Sequence, residues 1–371
     1  MNSQRPKIKV VISGGGTGGH IFPAVSIAQT LMSMNPDNEM LFVGAKGRME
    51  MEKVPASGFR IIGLDIAGLQ RRLSLSNLLL PFKIFKSIIA ARKIIKEFKP
   101  DVAVGVGGYA SGPTLFAASG VKVPCLIQEQ NSFAGITNRL LAGRVKEICV
   151  AYEGMDRYFP KEKLKMTGNP VRKDLLDLSG KREQGLALFG LSPYRPVILV
   201  IGGSLGARTI NRAIAEGIDS FSKEDVQVLW QTGRAGHAEA TSKAQRYENM
   251  KVHEFISRID LAYSVADIVI SRAGASSVSE LAIVGKPSIL VPSPNVAEDH
   301  QTKNAKALVD KKAACMIDDS EASGHLVSSA IALLRDEVLK DELSKNISAM
   351  ALPDAAVSIA EEVYKLALSK G

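Results

Sequence analysis

Two stretches of this chain open in the same way. An apolar run, IKVVIS at 8–13 and PVILVIGG at 196–203, leads into a glycine-rich turn, GGGTGGH at 14–20 and GGSLGA at 202–207. A buried strand followed by glycines and then a helical pattern is the start of a βαβ unit. Its recurrence about 190 residues later implies two such domains rather than one. Other β-rich runs (EMLFVG, DVAVGVG, PCLIQE, then VQVLWQTG, DIVISRAG, PSILVPS) alternate with helical patterns, which implies parallel sheets with crossover helices. The predicted fold is therefore α/β, with two Rossmann-like domains facing each other across a cleft. A chain of 371 residues with 32 glycines is long enough for both. The junction is predicted in MTGNPVRKDLL, where Pro170 disfavours helix at Asn169. That gives a first domain of 1–168 joined by a returning C-terminal helix at 354–371, and a second domain of 169–353.

A glycine turn opening a helix brings backbone N–H groups close to a phosphate, aided by the helix dipole. Gly14, Gly16 and Gly19 fit G-x-G-x-x-G, a spacing shared by many phosphate ligands. A Walker loop requires lysine where His20 stands, so a P-loop enzyme is excluded. A nicotinamide enzyme needs an acid at the end of the second strand, and Gly44-Ala45-Lys46 stands there instead. Two further turns, GVGGYASGP at 105–113 and SRAGASSVSEL at 271–281, place small hydroxyls at helix starts. Ser276, Ser277 and Ser279 suit phosphate oxygens or helix capping, and Glu280 suits a ribose diol. Phosphate-capable loops in both halves imply two phosphorylated ligands facing each other.

The formal net charge is +9, and the segment 71–99 supplies +7 of it, with eight basic residues against Glu97. The same segment carries Leu78, Leu79, Leu80, Phe82, Ile84, Phe85, Ile88, Ile89, Ile94 and Ile95. That combination fits an anionic membrane surface, although a helix packed on a sheet with solvated lysines explains part of it. No run reaches the roughly 18 apolar residues of a spanning helix, and no apolar signal region precedes the first strand. Cys125, Cys149 and Cys315 are widely spaced, as expected of reduced, buried thiols.

Eight motifs, GGTGGHIFPA, GGYASGP, EQNSFAGITNRLLA, GNPVR, GGSLGARTIN, HEFI, SRAGASSVSEL and AEDHQTKNA, occur in an order that resembles the MurG family of bacterial peptidoglycan glycosyltransferases. The resemblance covers nearly the whole chain. It implies a GT-B fold and an inverting transfer of N-acetylglucosamine from UDP-GlcNAc to the muramoyl 4-hydroxyl of undecaprenyl-pyrophosphoryl-MurNAc-pentapeptide. Carried over by motif, Ser204, Arg172, Ile256, Gln301 and the run Ala275, Ser276, Ser277, Val278, Ser279 and Glu280 would hold the donor. Thr17, Gly18, Gly19 and Asn131 would reach the donor from the N-terminal side. Gly107, Gly108, Tyr109 and Ser111 would cradle the acceptor pyrophosphate. His20 is then either the base that takes the 4-hydroxyl proton or a hydrogen-bond donor to a phosphate, and the sequence leaves both open.

The implied partners are UDP-GlcNAc, the undecaprenyl-pyrophosphoryl lipid and the cytoplasmic leaflet of the bacterial inner membrane, with the protein peripheral and no nucleic acid involved. No cofactor or metal site is expected, Mg²⁺ being auxiliary. Asp318-Asp319 and Glu361-Glu362 read as solvated pairs. Another UDP-sugar-dependent glycolipid glycosyltransferase, a UDP-sugar epimerase of the same fold, and a nucleotide-sugar-binding protein without activity are the competing readings.

Overall fold

The structure, a computed structural model, describes residues 5–66, 80–203, 206–296 and 299–369. The chain forms two compact units, Met1–Val171 with Pro353–Gly371, and Arg172–Leu352. The boundary lies three residues beyond the expected one. Asn169 belongs to unit 1, donating from Nδ2 to the Gln130 carbonyl at 2.9 Å and accepting from Gln128 Nε2 at 2.8 Å.

Among the described residues, unit 1 carries a seven-stranded sheet: β1 (Lys9–Ser13), β2 (Glu39–Ala45), β3 (Ile61–Leu64), β4 (Val102–Gly105), β5 (Cys125–Glu129), β6 (Glu147–Val150) and β7 (Leu164–Met166). The order is β3-β2-β1-β4-β5-β6-β7, and every pairing is parallel. Unit 2 carries β8 (Val197–Ile201), β9 (Gln227–Gln231), β10 (Met250–His253), β11 (Ile268–Ser271), β12 (Ser288–Leu290) and β13 (Cys315–Met316). They run in the order β10-β9-β8-β11-β12-β13, again all parallel. The first six strands of each unit thus share one topology. β3, β6, β7, β10 and β13 have no counterpart in the runs read from the sequence; β7 and β13 have only three and two residues, and β3, β6 and β10 include half-buried positions.

Central strands covered by helices on both faces read as unbroken apolar runs. In β1, Val11 faces a core with Leu41, Val43, Ala103, Leu115 and Ile127. Val10 and Ile12 face the opposite core with Ile27, Leu31, Phe42 and Val104. The C-terminal helix Ala355–Leu368 completes this second core through Ile359, Ala360, Val363 and Ala367. Each fully buried aliphatic side chain there contributes about 1.5–3 kcal/mol. Asn38 Nδ2 donates to the Tyr364 hydroxyl at 2.7 Å, and Arg5 pairs with Glu361, so the helix is also fixed by polar contacts.

In doubly wound sheets, ligands sit at the carboxyl ends of the strands where the order reverses. In unit 1 this point lies between β1 and β4, and the loops 14–17 and 106–110 follow those two strands. In unit 2 it lies between β8 and β11, followed by the loops starting at Gly202 and Arg272.

Candidate active site

In unit 1 the first loop connects β1 to the helix Gly18–Met34. Gly16 has φ +85°, which L side chains rarely adopt. Gly14 and Gly15 are required by space: a Cβ would lie 2.1 Å from Val106 Cγ2 and 2.2 Å from Glu50 Oε1 respectively. Thr17 precedes the helix in an extended conformation and its side chain does not cap it, which leaves first-turn N–H groups to other acceptors. His20, half-buried in that turn, places Nδ1 3.1 Å from the Gly15 carbonyl and 3.2 Å from Thr17 Oγ1. A carbonyl only accepts, so Nδ1 carries the hydrogen, and a neutral ring then has its lone pair on Nε2.

The second loop closes over that ring. Gly107 and Gly108 have φ +92° and +88°; a Cβ would meet His20 Nε2 at 2.9 Å from the first and the Gly15 carbonyl oxygen at 2.4 Å from the second. Gln130 Nε2 holds the base of the loop through the Val106 carbonyl at 2.9 Å. Ser111 begins the helix Ser111–Gly120 with its hydroxyl fully buried and without a hydrogen-bond partner. Tyr109 is exposed. Asn131 donates from its backbone and from Nδ2 to Glu129 Oε1 at 3.1 and 3.2 Å. The other carboxylate oxygen of buried Glu129 accepts from Gly135 N and Asn138 Nδ2. The structure thus brings Thr17, Gly18, Gly19, His20, Gly107, Gly108 and Ser111 to the switch point of unit 1.

In unit 2, Gly203 and Gly206 have φ +80° and +79°, and a Cβ on Gly206 would sit 2.2 Å from the Thr232 carbonyl oxygen. Ser204 lies outside the described residues. Gln231, at the end of β9, donates from Nε2 to the Gly203 carbonyl at 3.3 Å and accepts the Ile256 N–H at 2.9 Å. Ile256 therefore has its carbonyl, not its N–H, to offer a base edge.

Gly274, in an extended conformation, precedes the helix Ala275–Val284, so the serines that follow are not its caps. The Ser276 hydroxyl is buried without a hydrogen-bond partner. Ser279 donates to the Ala275 carbonyl at 3.0 Å, which takes its hydrogen away from a phosphate. Buried Val278 offers backbone alone. Glu280 accepts the Tyr263 hydroxyl at 3.2 Å and lies 3.7 Å from Arg172 Nε. Burial raises the Glu280 carboxyl above the ordinary carboxylate range against the opposing pull of Arg172 and Tyr263. Gln301 is the second residue of the helix His300–Val309 and accepts the Ser293 N–H at 2.9 Å, so its NH₂ is the end oriented for donation.

Sequence reasoning did not reach Glu50, Gln231 or Tyr263, because each meets a partner distant in sequence, nor Glu129, which holds the loop directly after it. It also misread one member of each acidic pair, Asp319 and Glu362, while Asp318 and Glu361 are exposed as expected. Asp319 is not solvated: it pairs with Arg272, which also donates to the Val291 and Pro292 carbonyls at 3.0 and 3.2 Å, and it accepts from Thr209 Oγ1 at 2.8 Å. Glu361 pairs with Arg5, and Glu362 hydrogen-bonds Glu147 and pairs with Lys365 at 3.2 Å. Cys125 and Cys149 are buried, and burial pushes both thiols up to about 12, whereas Cys315 is only half-buried. Among the described residues no set of three metal-ligating side chains converges.

The basic-apolar segment is described from residue 80 onward; Arg71, Arg72, Leu78 and Leu79 lie outside the described residues. The helix Leu80–Phe98 turns Ser87, Ala91, Ile94 and Ile95 inward. Phe82, Phe85 and Ile89 project to solvent, 69, 64 and 55% exposed, beside exposed Lys86, Arg92 and Lys93. Among the described residues no helix is long and apolar enough to cross a membrane.

Residues 10–150 match the model of the glycosyltransferase family 28 N-terminal domain, and residues 197–359 that of the family 28 C-terminal domain. A Parabacteroides distasonis protein named UDP-N-acetylglucosamine–N-acetylmuramyl-(pentapeptide) pyrophosphoryl-undecaprenol N-acetylglucosamine transferase is 56% identical, over 97% of this chain and 98% of its own length. The crystal structure of Acinetobacter baumannii MurG superposes with a TM-score of 0.77 at 29% identity, covering 97% of this chain and all of that one. A Neisseria meningitidis UDP-GlcNAc 2-epimerase bound to UDP-GlcNAc reaches a TM-score of 0.67 at 15% identity, covering 99% of this chain and all of that one, and this shows a shared fold alone.

Proposed function

The chain belongs to glycosyltransferase family 28, in its MurG branch, and on that premise we infer that it moves N-acetylglucosamine from UDP-GlcNAc to the muramoyl 4-hydroxyl of undecaprenyl-pyrophosphoryl-MurNAc-pentapeptide. The carrying observation is likeness along the full chain at 56% identity, where the epimerase shares only the fold.

We assign the donor nucleotide to unit 2. The buried Ser276 hydroxyl and the N–H groups opening the helix Ala275–Val284 suit the diphosphate, whose negative charge grows as it departs. Glu280 suits the ribose diol, with Arg172 and Tyr263 fixing its carboxylate. The Ile256 carbonyl suits the N–H of a uracil edge, and the Gln301 NH₂ suits a sugar hydroxyl. Ser204 belongs to the same assignment by its motif. In unit 1, Thr17, Gly18, Gly19 and Asn131 are assigned to the donor's sugar end. Gly107, Gly108, Tyr109 and the buried Ser111 hydroxyl are assigned to the acceptor pyrophosphate.

His20 is assigned as the base. Nε2 takes the proton of the 4-hydroxyl as that oxygen bonds to the anomeric carbon, and the C1–O bond to UDP breaks with the electron pair leaving on the diphosphate. Attack opposite the leaving group inverts an α-linked donor to a β-linked product. No step is assigned to a metal, and Mg²⁺ is auxiliary. UDP release from UDP-GlcNAc, measured with and without a short-chain lipid acceptor, tests the reading: release that depends on acceptor supports transfer, and sugar conversion without acceptor contradicts it.

We further assign the Phe82–Phe85–Ile89 ridge and its flanking cations to the cytoplasmic leaflet that holds the acceptor's lipid tail, the protein remaining peripheral. Co-sedimentation with anionic liposomes should be lost when Lys83, Lys86, Arg92 and Lys93 become glutamate. Undiminished binding contradicts the assignment.

A further inference from the structure

The carboxylate beneath the first glycine loop has no part in the assignments above, and its position is specific. Glu50 is 1% exposed, and its two oxygens accept two backbone N–H groups, Oε1 from Ala45 and Oε2 from Gly16, each at 2.9 Å. Space for it is built into two places: a Cβ on Gly15 would lie 2.2 Å from Oε1 and a Cβ on Gly44 2.6 Å from Cγ, while Gly16, whose N–H it holds, has φ +85°. The other charges of this turn, Lys46, Arg48, Glu52 and Lys53, are exposed, and Lys53 lies 3.7 Å from Glu52.

The Gly16 N–H and the Gly15 C=O belong to one peptide group. Its hydrogen is held by Glu50, and its oxygen accepts from His20 Nδ1 at 3.1 Å. We propose that Glu50, the Gly15–Gly16 peptide and His20 form a relay in which a buried carboxylate supports the base through a single amide. A peptide whose N–H donates to an anion carries more charge on its oxygen, because amide resonance couples the two ends, and hydrogen bonds in a chain strengthen one another. The more negative oxygen holds Nδ1–H, keeps the lone pair on Nε2, and stabilises the imidazolium formed when Nε2 takes the acceptor proton. Glu50 gains no proton in this scheme. It is a positioning residue: the substrate proton ends on His20, and the two Glu50 oxygens go on accepting the Ala45 and Gly16 N–H groups. An aspartate–histidine pair in hydrolases serves the same end by direct contact. Here the contact passes through backbone, so the loop that carries the base also carries its support.

The proposal rests on His20 acting as the base, and a double-mutant cycle separates the two ideas. Glu50→Gln keeps the side-chain volume and removes the charge. In the full chain, assayed with UDP-GlcNAc and a short-chain lipid acceptor, it should lower kcat about 10- to 100-fold, the range for losing a charge-assisted hydrogen bond. The KM for UDP-GlcNAc should change less than about twofold, and the acid limb of kcat/KM should move to lower pH. In a His20→Ala background the same substitution should change kcat less than about twofold. The imidazole ¹⁵N spectrum gives a second readout that does not depend on turnover: Glu50→Gln should mix the His20 tautomers that the parent protein keeps as Nδ1–H. An equal kcat loss in both backgrounds, or an acid limb and ¹⁵N spectrum unchanged by Glu50→Gln, overturns the relay. Full activity in His20→Ala overturns the base assignment itself, and the relay with it.

Discussion

The glycine turns after β1 and β8 begin at the same point of the same topology, yet they are braced by different chemistry. Each brace lies at or just beyond the end of the neighbouring strand: Glu50 comes shortly after β2, and Gln231 ends β9. The unit 1 brace is a carboxylate that accepts the Gly16 N–H. The unit 2 brace is a neutral amide that donates to the Gly203 carbonyl and accepts the Ile256 N–H. A turn that must support a forming imidazolium gains from negative charge beneath it. A turn that must receive a diphosphate would lose by it, since like charges close together in a partly buried site repel strongly. On the proposed assignments, the two turns share a topology and differ in the charge beneath them.

His20→Ala tests the charged side of this contrast and should have the largest effect. With the base removed, kcat should fall about 10²- to 10⁴-fold, while UDP affinity by calorimetry stays within about threefold of the parent. A loss of UDP affinity matching the loss of rate would turn the contrast into a shared binding role. Gln231→Glu tests the neutral side by giving unit 2 the brace of unit 1. It loses the donor to Gly203 and adds charge beside the proposed diphosphate site, so UDP should bind about 10-fold more weakly. Unchanged affinity would mean that the two braces are interchangeable.

The smallest effect lies in how the units respond to pH. Burial and the neighbouring Glu362 carboxylate raise Glu147 from the ordinary 4.5 to about 7. Folded unit 1 therefore holds a proton across that window which the unfolded chain has released, and its stability falls as pH rises from about 4.5 to 7. Asp260 in unit 2 is shifted the other way, held well below the carboxylate range by Arg258 at 2.9 Å and Lys181 at 3.1 Å. Its contribution is complete above the ordinary 3.8 and is lost as pH falls beneath it. Glu147→Gln should raise the unit 1 melting temperature at pH 8 by about 2–4 °C and flatten its slope between pH 4.5 and 7. An unaltered slope would remove this difference between the units.

Much of this arrangement was legible in the sequence, and the illegible part has a common cause. The strands beside each switch point are apolar and almost wholly buried, and the glycines that follow them are local signals, so the repeated α/β plan could be read directly. The family motifs singled out His20, Glu280 and Ser276 as candidates without a structure. The braces could not be read in that way. Glu50 is 34 residues from the Gly16 N–H it holds, and Gln231 is 25 residues from Ile256. Both look in sequence like ordinary polar residues near the end of a strand. Asp319 looked solvated because its partner Arg272 is 47 residues away. Sequence periodicity reports which face of an element is buried; it carries no record of which polar groups meet across elements.

The division of labour between the units is tested most directly by hydrogen–deuterium exchange of the full chain with UDP alone. The nucleotide should slow exchange at 274–281 and at Gly206–Ala207, and leave the amides of 14–20 as they are in the free protein. Slowed exchange confined to 14–20, with 274–281 unaffected, would place the nucleotide on the turn that carries His20 and contradict the account.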